Sequence, residues 1–385
     1  KNVKVKKAKK KSRQKLNMGK RKKKTSKFTG ASSKENKNES KDKEENFNEQ
    51  KFTVDDLLKK VEEYMESFNF ELAERFCTRA IELSPDNLHA LNMAASVYLE
   101  IGKVDEAVGC LRHAIDIEPN NGFSKYLTLG ELLEGEQAVE CLKKGIEIMI
   151  NEKETHEKEN VCDSDTKRIE TEGITKRDIS NAFCSLAEIF LTDCCFVEDA
   201  ENSCKLYCEK AVEQDPENPD AYQVTANFLL SEQKNEEAKE MLLKGLNLWH
   251  GCDDPLIKDI RLPSYESRIS LSKMLIEVEE FNNACSVLEE LLSEDDEVVQ
   301  VWYLFGWIHY LKEQDYDLVL YYMEMAQKLF TQTGCDDEPL LEHINELVSE
   351  VREKTNNDGK NLNGNEENDD HDSQDTEFKS MDTAE

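Results

Sequence analysis

The chain has 385 residues, of which 38 % are hydrophobic and 34 % charged, and its formal net charge is −32. That length suits one extended repeat array or two compact domains, and the polarity is high for a globule but ordinary for a thin array whose helices largely face water. There is no secretory h-region and no apolar run of about 18 residues, so neither secretion nor a membrane span is expected.

Residues 1–27 hold fifteen Lys or Arg and no acid, which leaves −47 on the remainder. Each end of the chain therefore selects a different partner. The chain begins with Lys rather than Met, and a true start upstream is expected. The basic residues form two clusters, Lys4 to Lys15 and Lys20 to Lys27. Lys6, Lys7, Lys9, Lys10, Lys11, Lys20, Arg21, Lys22, Lys23 and Lys24 are read as a nuclear import signal, because two clusters across a short gap suit the groove of an import receptor. The competing reading is a solvated, nonspecific charge run. Direct contact with nucleic acid is not expected, since no aromatics interleave the tail for base stacking and the acidic body repels phosphate. Residues 28–50 form a polar linker, and the tail and linker are too polar to fold alone.

A repeat begins after the linker and runs through residues 51–355. Tyr64, Ala73, Ala80 and Pro85 recur 34 residues later as Tyr98, Ala107, Ala114 and Pro119. Ser84-Pro85-Asp86-Asn87 and Glu118-Pro119-Asn120-Asn121 close the two units at one phase. Paired antiparallel helices need small residues where their backbones approach, and the alanines fill those positions. The prolines stop each second helix, because proline lacks an N–H and restrains the residue before it. Asp86 or Asn87 can cap the helix that follows. This pattern resembles the tetratricopeptide-repeat family, which implies an all-α right-handed solenoid.

Weaker copies follow in order. Gly122 to Ile150 keeps Ala138 and Gly145 but has a short first helix. Asn151 to Asp178, with nine acids and six bases, reads as a disordered charged insertion. Ser180 to Pro216, Pro219 to His250, Ser264 to Asp295 and Val299 to Phe330 complete about seven helix pairs. The last pair carries Trp302-x-x-Phe305-Gly306, close to the family's opening motif. An irregular stretch, Gly251 to Pro263, interrupts the array. Pro339 to Lys354 reads as an amphipathic capping helix. Residues 356–385, with ten acids and two lysines, read as an acidic disordered tail.

No enzyme is expected. The sequence contains no phosphate-binding glycine loop, no H-E-x-x-H and no G-x-S-x-G, and its seven histidines are dispersed. His309, among Tyr303, Trp307 and Tyr310, reads as a histidine without a catalytic role. Twelve cysteines are present without any C-x-x-C spacing, so they read as small hydrophobes in a reducing compartment. Cys204 and Cys208 lack the further ligands of a closed zinc site. No metal or cofactor is expected.

In tetratricopeptide solenoids the first helix of every pair lines the inner groove. That family geometry places Asp55, Leu58, Glu62, Met65 and Glu66 of the first unit there, with His89, Asn92, Ser96, Leu99 and Glu100 of the second. Later units supply Gln223, Asn227, Ile269, Lys273, Tyr303 and Trp307. The groove is then acidic at its N-terminal end and aromatic at its C-terminal end, while Trp302 belongs to the core. Leu58 and Glu62 stand where the chaperone-tail-binding subclass needs cations and amides, which argues against that subclass. With −47 on the body, the expected partner is a basic client protein bound by a monomer.

A closer resemblance rests on Asp259-Ile260-Arg261-Leu262-Pro263-Ser264-Tyr265-Glu266-Ser267-Arg268, continuing to Glu277, and on Val301-Trp302-Tyr303-Leu304-Phe305-Gly306-Trp307-Ile308-His309-Tyr310. Over residues 54–354 the chain resembles the dedicated assembly chaperones of the universal large-subunit ribosomal protein number four. The resemblance implies a groove that shields the client's basic extension, presence in cytoplasm and nucleus, and delivery to nuclear pre-ribosomes. The basic leader is expected to fold back on the acidic body when no client is bound. Two other readings are an acidic repeat histone chaperone and a scaffold subunit of a stable nuclear complex. The insertion argues against the former, being only slightly acidic.

Overall fold

The computed structural model describes residues 52–162, 173–252, 254–312 and 315–362. The residues read as an import signal, the linker and the tail beyond residue 362 lie outside these. Among the described residues every regular element is a helix, and there are sixteen. Seven antiparallel pairs follow one another: α1 (Val54–Glu66) with α2 (Phe70–Leu83), α3 (Leu88–Glu100) with α4 (Val104–Ile117), α5 (Ser124–Leu132) with α6 (Gly135–Cys162), α7 (Lys176–Leu191) with α8 (Ala200–Gln214), α9 (Pro219–Ser231) with α10 (Asn235–Asn247), α12 (Tyr265–Glu277) with α13 (Phe281–Glu294), and α14 (Val299–Lys312) with α15 (Tyr316–Thr333). A short α11 (Pro255–Arg261) stands between the fifth and sixth pairs, and α16 (Glu338–Leu362) packs on α15 as the cap. No helix among the described residues is long and apolar enough to cross a membrane.

Local chemistry sets the helix starts. Thr53 and Thr175 form reciprocal capping boxes with Asp56 and Asp178. Asn87 caps α3 by accepting from the Ala90 N–H, so of the two candidates in Ser84-Pro85-Asp86-Asn87 it is the second that caps. Pro219 occupies the first turn of α9 behind Asn218, where its missing N–H costs nothing.

The repeat alanines do what the spacing predicts. Ala73, Ala80, Ala107 and Ala114 are fully buried. At the equivalent place in the third unit stands Gly145, where an added Cβ would lie 2.7 Å from Leu127 Cδ2 and 3.2 Å from Tyr126 Cβ. One contiguous core runs from α6 to α14, and a second joins α14, α15 and α16 through Val319, Met323, Ile344 and Val351. Such stepwise burial, each pair covered by the next, is how a repeat array forms a core.

Two segment boundaries differ from the sequence reading. α6 continues to Cys162 and Thr175 already caps α7, so the ends of the 151–178 insertion are structured. α16 likewise continues to Leu362, past residue 355 where the acidic tail was placed. α6 extends past its apolar stripe through residues rich in Glu and Lys, which hold a helix by propensity once packing has nucleated it. The irregular stretch before the sixth unit holds α11, capped by Asp254, which accepts from the Leu256 N–H.

Candidate functional site

The first helices α7, α9 and α12 stand side by side and enclose a cavity of about 360 Å³. Each contributes a carboxylate: Glu188 from α7, Asp220 from α9 and Glu266 from α12. Among the described residues no Lys or Arg lines it. Gln223, Asn227 and Ser270 add amide and hydroxyl groups, and Val224 and Met274 supply the apolar floor. A concave site with polar groups converging on an apolar base is a normal recognition geometry.

A hydrogen-bonded link fixes α9 against α12 within this cavity. Ser267 Oγ donates to Asp220 Oδ1 at 2.6 Å, and Gln223 Nε2 donates to the Ser267 carbonyl at 3.0 Å. Ser264 Oγ accepts from the Ser267 N–H at 3.1 Å and so begins α12 at the cavity edge. The neighbouring Arg268 points away from the cavity. It is 3 % exposed, its Nη1 and Nη2 donate to Glu294 at 2.6 and 2.7 Å, and its Nε donates to the Pro263 carbonyl. Arg268 holds the Glu294 carboxyl below the usual carboxylate range. Tyr265 OH lies 3.3 Å from the carbonyls of both Leu291 and Asp295, and burial pushes its phenol up to about 12. The run from Pro263 to Arg268 is thus one device: Arg268 and Tyr265 lock α12 to α13, which presents Glu266 and Ser267 on the inner face.

Of the residues predicted to line a groove, Gln223 and Asn227 lie in this cavity. Asp55, Glu62 and Glu66 are exposed along α1, and Asn92, Ser96 and Glu100 along α3, with Ser96 Oγ donating back to the Asn92 carbonyl. Met65 turns partly into the core formed by Val61, Ala73 and Cys77. Leu58 and Ile269 are buried, at 3 % and 2 % exposure, so the family phase misplaced them. On α12 Ser270 and Met274 line the cavity together with Glu266 and Ser267, each of the former one position later than the Ile269 and Lys273 that the repeat count through the irregular stretch implies.

Tyr303 and Trp307 are half-buried and face α16. Tyr303 OH lies 2.8 Å from His343 Nδ1, and the Trp307 and His343 rings are 5.2 Å apart. Burial pushes the Tyr303 phenol up to about 12. These two side chains seat the capping helix. Trp302 is a core residue whose Nε1 donates to the Asp296 carbonyl at 2.9 Å, and the His309 ring stacks on Tyr322 with its imidazole held below the ordinary value by burial.

Sequence reasoning missed all three carboxylates, Glu188, Asp220 and Glu266, as lining residues. Glu188 follows the small residue Ala187 just as Asn227 follows Ala226, and that shared phase marks it. Among the described residues no group of three or more His, Cys, Asp or Glu is arranged to hold a metal ion.

Tetratricopeptide-repeat profiles match residues 64–129 and 207–240. The chain is 32 % identical over 292 residues to the probable assembly chaperone of rpl4 from Schizosaccharomyces pombe, covering 70 % of this chain and 82 % of the relative. It is 29 % identical over 251 residues to the probable assembly chaperone of rpl4 from Emericella nidulans, which is 61 % of this chain and 58 % of that relative. A solved structure of the assembly chaperone of RpL4 (Acl4, residues 1–338) matches with a TM-score of 0.60 at 27 % identity, over 68 % of this chain and 98 % of that one. The chain therefore belongs to the family of rpl4 assembly chaperones.

Proposed function

We propose that this chain is a dedicated, non-catalytic chaperone that binds newly made rpl4, shields a basic segment of it and escorts it to nuclear pre-ribosomes. The observation that carries this reading is the set of three carboxylates, Glu188, Asp220 and Glu266, contributed by three successive inner helices around one cavity. A basic extension meets there the charge that rRNA would otherwise offer it. The strongly acidic composition favours rapid capture of cationic segments and release when a denser anion competes. The names of the family's characterised members supply the client.

The chaperone acts as a monomer without direct contact to nucleic acid, in cytoplasm and nucleus. Lys6, Lys7, Lys9, Lys10, Lys11, Lys20, Arg21, Lys22, Lys23 and Lys24 supply the address for an import receptor. Affinity purification of the tagged full chain at low salt, followed by mass spectrometry, tests the reading. A stoichiometric rpl4 that is lost in high salt supports it. Core histones, or a salt-resistant assembly of many subunits, would overturn it. Deleting residues 1–27 should abolish nuclear accumulation of a fluorescent fusion, and unchanged accumulation would remove the import role.

A further inference from the structure

A small buried residue marks one level of the inner helices. Gly130 of α5, Ala187 of α7, Ala226 of α9 and Ser272 of α12 are all buried. The residue after each of them is exposed: Glu131, Glu188, Asn227 and Lys273. Glu188 and Asn227 line the cavity, so this phase belongs to the inner surface. At that level the charge changes sign along the array, from two carboxylates through an amide to an ammonium.

Lys273 stands at the edge of the cavity nearer the cap. It adjoins the lining residue Met274 and follows Glu266 by two helical turns, so Glu266 and Lys273 share a face of α12 about 10 Å apart. Ser267 turns from that face toward α9, where it meets Asp220. Lys273 lies on the other flank, near enough to Asp337, in the turn before α16, for that carboxylate to favour its charge. Among the described residues Lys273 forms no ion pair. Its ammonium is nevertheless held below the ordinary lysine value, because protein replaces water around it, and the Glu131 carboxyl is raised by the same loss of water. Charges that are exposed and yet short of water belong to the floor of a concave surface, where an opposite charge brought by a partner is held more strongly than on an open face.

We infer that this row fixes the direction of the client segment: its cations lie at Glu131 and Glu188, and a carboxylate of the same segment lies on Lys273. This rests on the client-binding reading of the cavity. Inner helices packed side by side set Glu188 and Lys273 about 20 Å apart, which about six residues of extended chain span. The row therefore selects a basic segment that carries a carboxylate about six residues from its cations. It rejects a uniformly basic segment, whose cation would meet Lys273 instead.

The test uses the full chain and purified rpl4. Lys273→Glu makes the body more acidic, so attraction by overall charge alone would tighten binding. The inferred direction requires the opposite, binding weakened about tenfold at low salt in calorimetric titration, with circular dichroism as the control for folding. Lys273→Met places no carboxylate beside Glu266 and Asp337, which keeps the test decisive if Lys273→Glu does not fold, and it should weaken binding about threefold to tenfold. Carbodiimide coupling of the wild-type complex, read by mass spectrometry, should join Lys273 to a carboxylate of rpl4 and identify it as a side chain or the chain end. Coupling of Glu188 to rpl4 lysines without any coupling of Lys273 to rpl4 would refute the direction. So would folded Lys273 variants that bind as tightly as the wild type or more tightly, and the cavity reading would still stand if E188K/D220K/E266K were impaired. A folded E188K/D220K/E266K that binds like the wild type refutes the cavity reading, and the direction falls with it.

Discussion

Arg268 and Glu294 join α12 to α13 through two parallel hydrogen bonds, at 2.6 and 2.7 Å, with the guanidinium 3 % exposed and the carboxylate side chain 43 % exposed. The planar fork of arginine suits this geometry and lysine does not reproduce it. Because Glu266 and Ser267 sit on the same turn of α12 as Arg268, the pair sets the direction in which the cavity's carboxylate points. Arg268→Ala should cost about 1–3 kcal/mol in urea unfolding, less than for a fully buried pair because water reaches Glu294. The Glu294 carboxyl is held below its unfolded value of 4.5. Its contribution is therefore complete above that pH and is lost as pH falls through the lower, folded value. Stability measured from neutral pH down into the acid range should show the wild type and Arg268→Ala converging; a constant gap would contradict the assignment.

Tyr303 and Trp307 seat α16 rather than line the open cavity between α7, α9 and α12. Tyr303→Phe removes one hydrogen bond and should cost about 1 kcal/mol. Trp307→Ala removes a half-buried ring and should cost about 2 kcal/mol, below the value for a fully buried aromatic. Thermal unfolding should record both losses, while affinity for rpl4 stays within about threefold of the wild type. A large affinity loss with unchanged stability would return these aromatics to the binding surface.

Two glycines in second helices should respond oppositely to alanine. At Gly145 the new Cβ would press on Leu127 and Tyr126, at 2.7 and 3.2 Å. Leu127 can yield at its tip, so the expected destabilisation is about 1–2 kcal/mol. At Gly109 of α4 no atom lies within 4 Å of the added Cβ. Gly109→Ala should stabilise the protein by about 0.5–1 kcal/mol by lowering the entropy of the unfolded chain. Denaturant midpoints measure both, and equal shifts of one sign would contradict the close approach at Gly145.

The repeat was legible because its determinants are local: small residues at the helix crossings, prolines in the turns and caps such as Asn87. The inner face was legible at Gln223 and Asn227, whereas Leu58, also counted without a break, is buried. It failed on α12, where α11 intervenes and the phase shifts by one residue, burying Ile269 and bringing Ser270 inward. Periodicity also could not delimit α6, because the helix outlasts its apolar stripe beyond Ile150. The roles of Tyr303 and Trp307 depend on His343, forty and thirty-six residues away in sequence. A contact across that distance has no local signature.

Under the proposed function, client capture depends most directly on the three carboxylates of the α7–α9–α12 cavity. Their test is the affinity of the triple variant Glu188→Lys, Asp220→Lys, Glu266→Lys for purified rpl4 across a salt series, with circular dichroism as the control for folding. A loss of at least about 100-fold at low salt and a flatter salt dependence than the wild type are expected, because screened attractions have become repulsions. Wild-type affinity and salt dependence in a folded triple variant would contradict the proposed function.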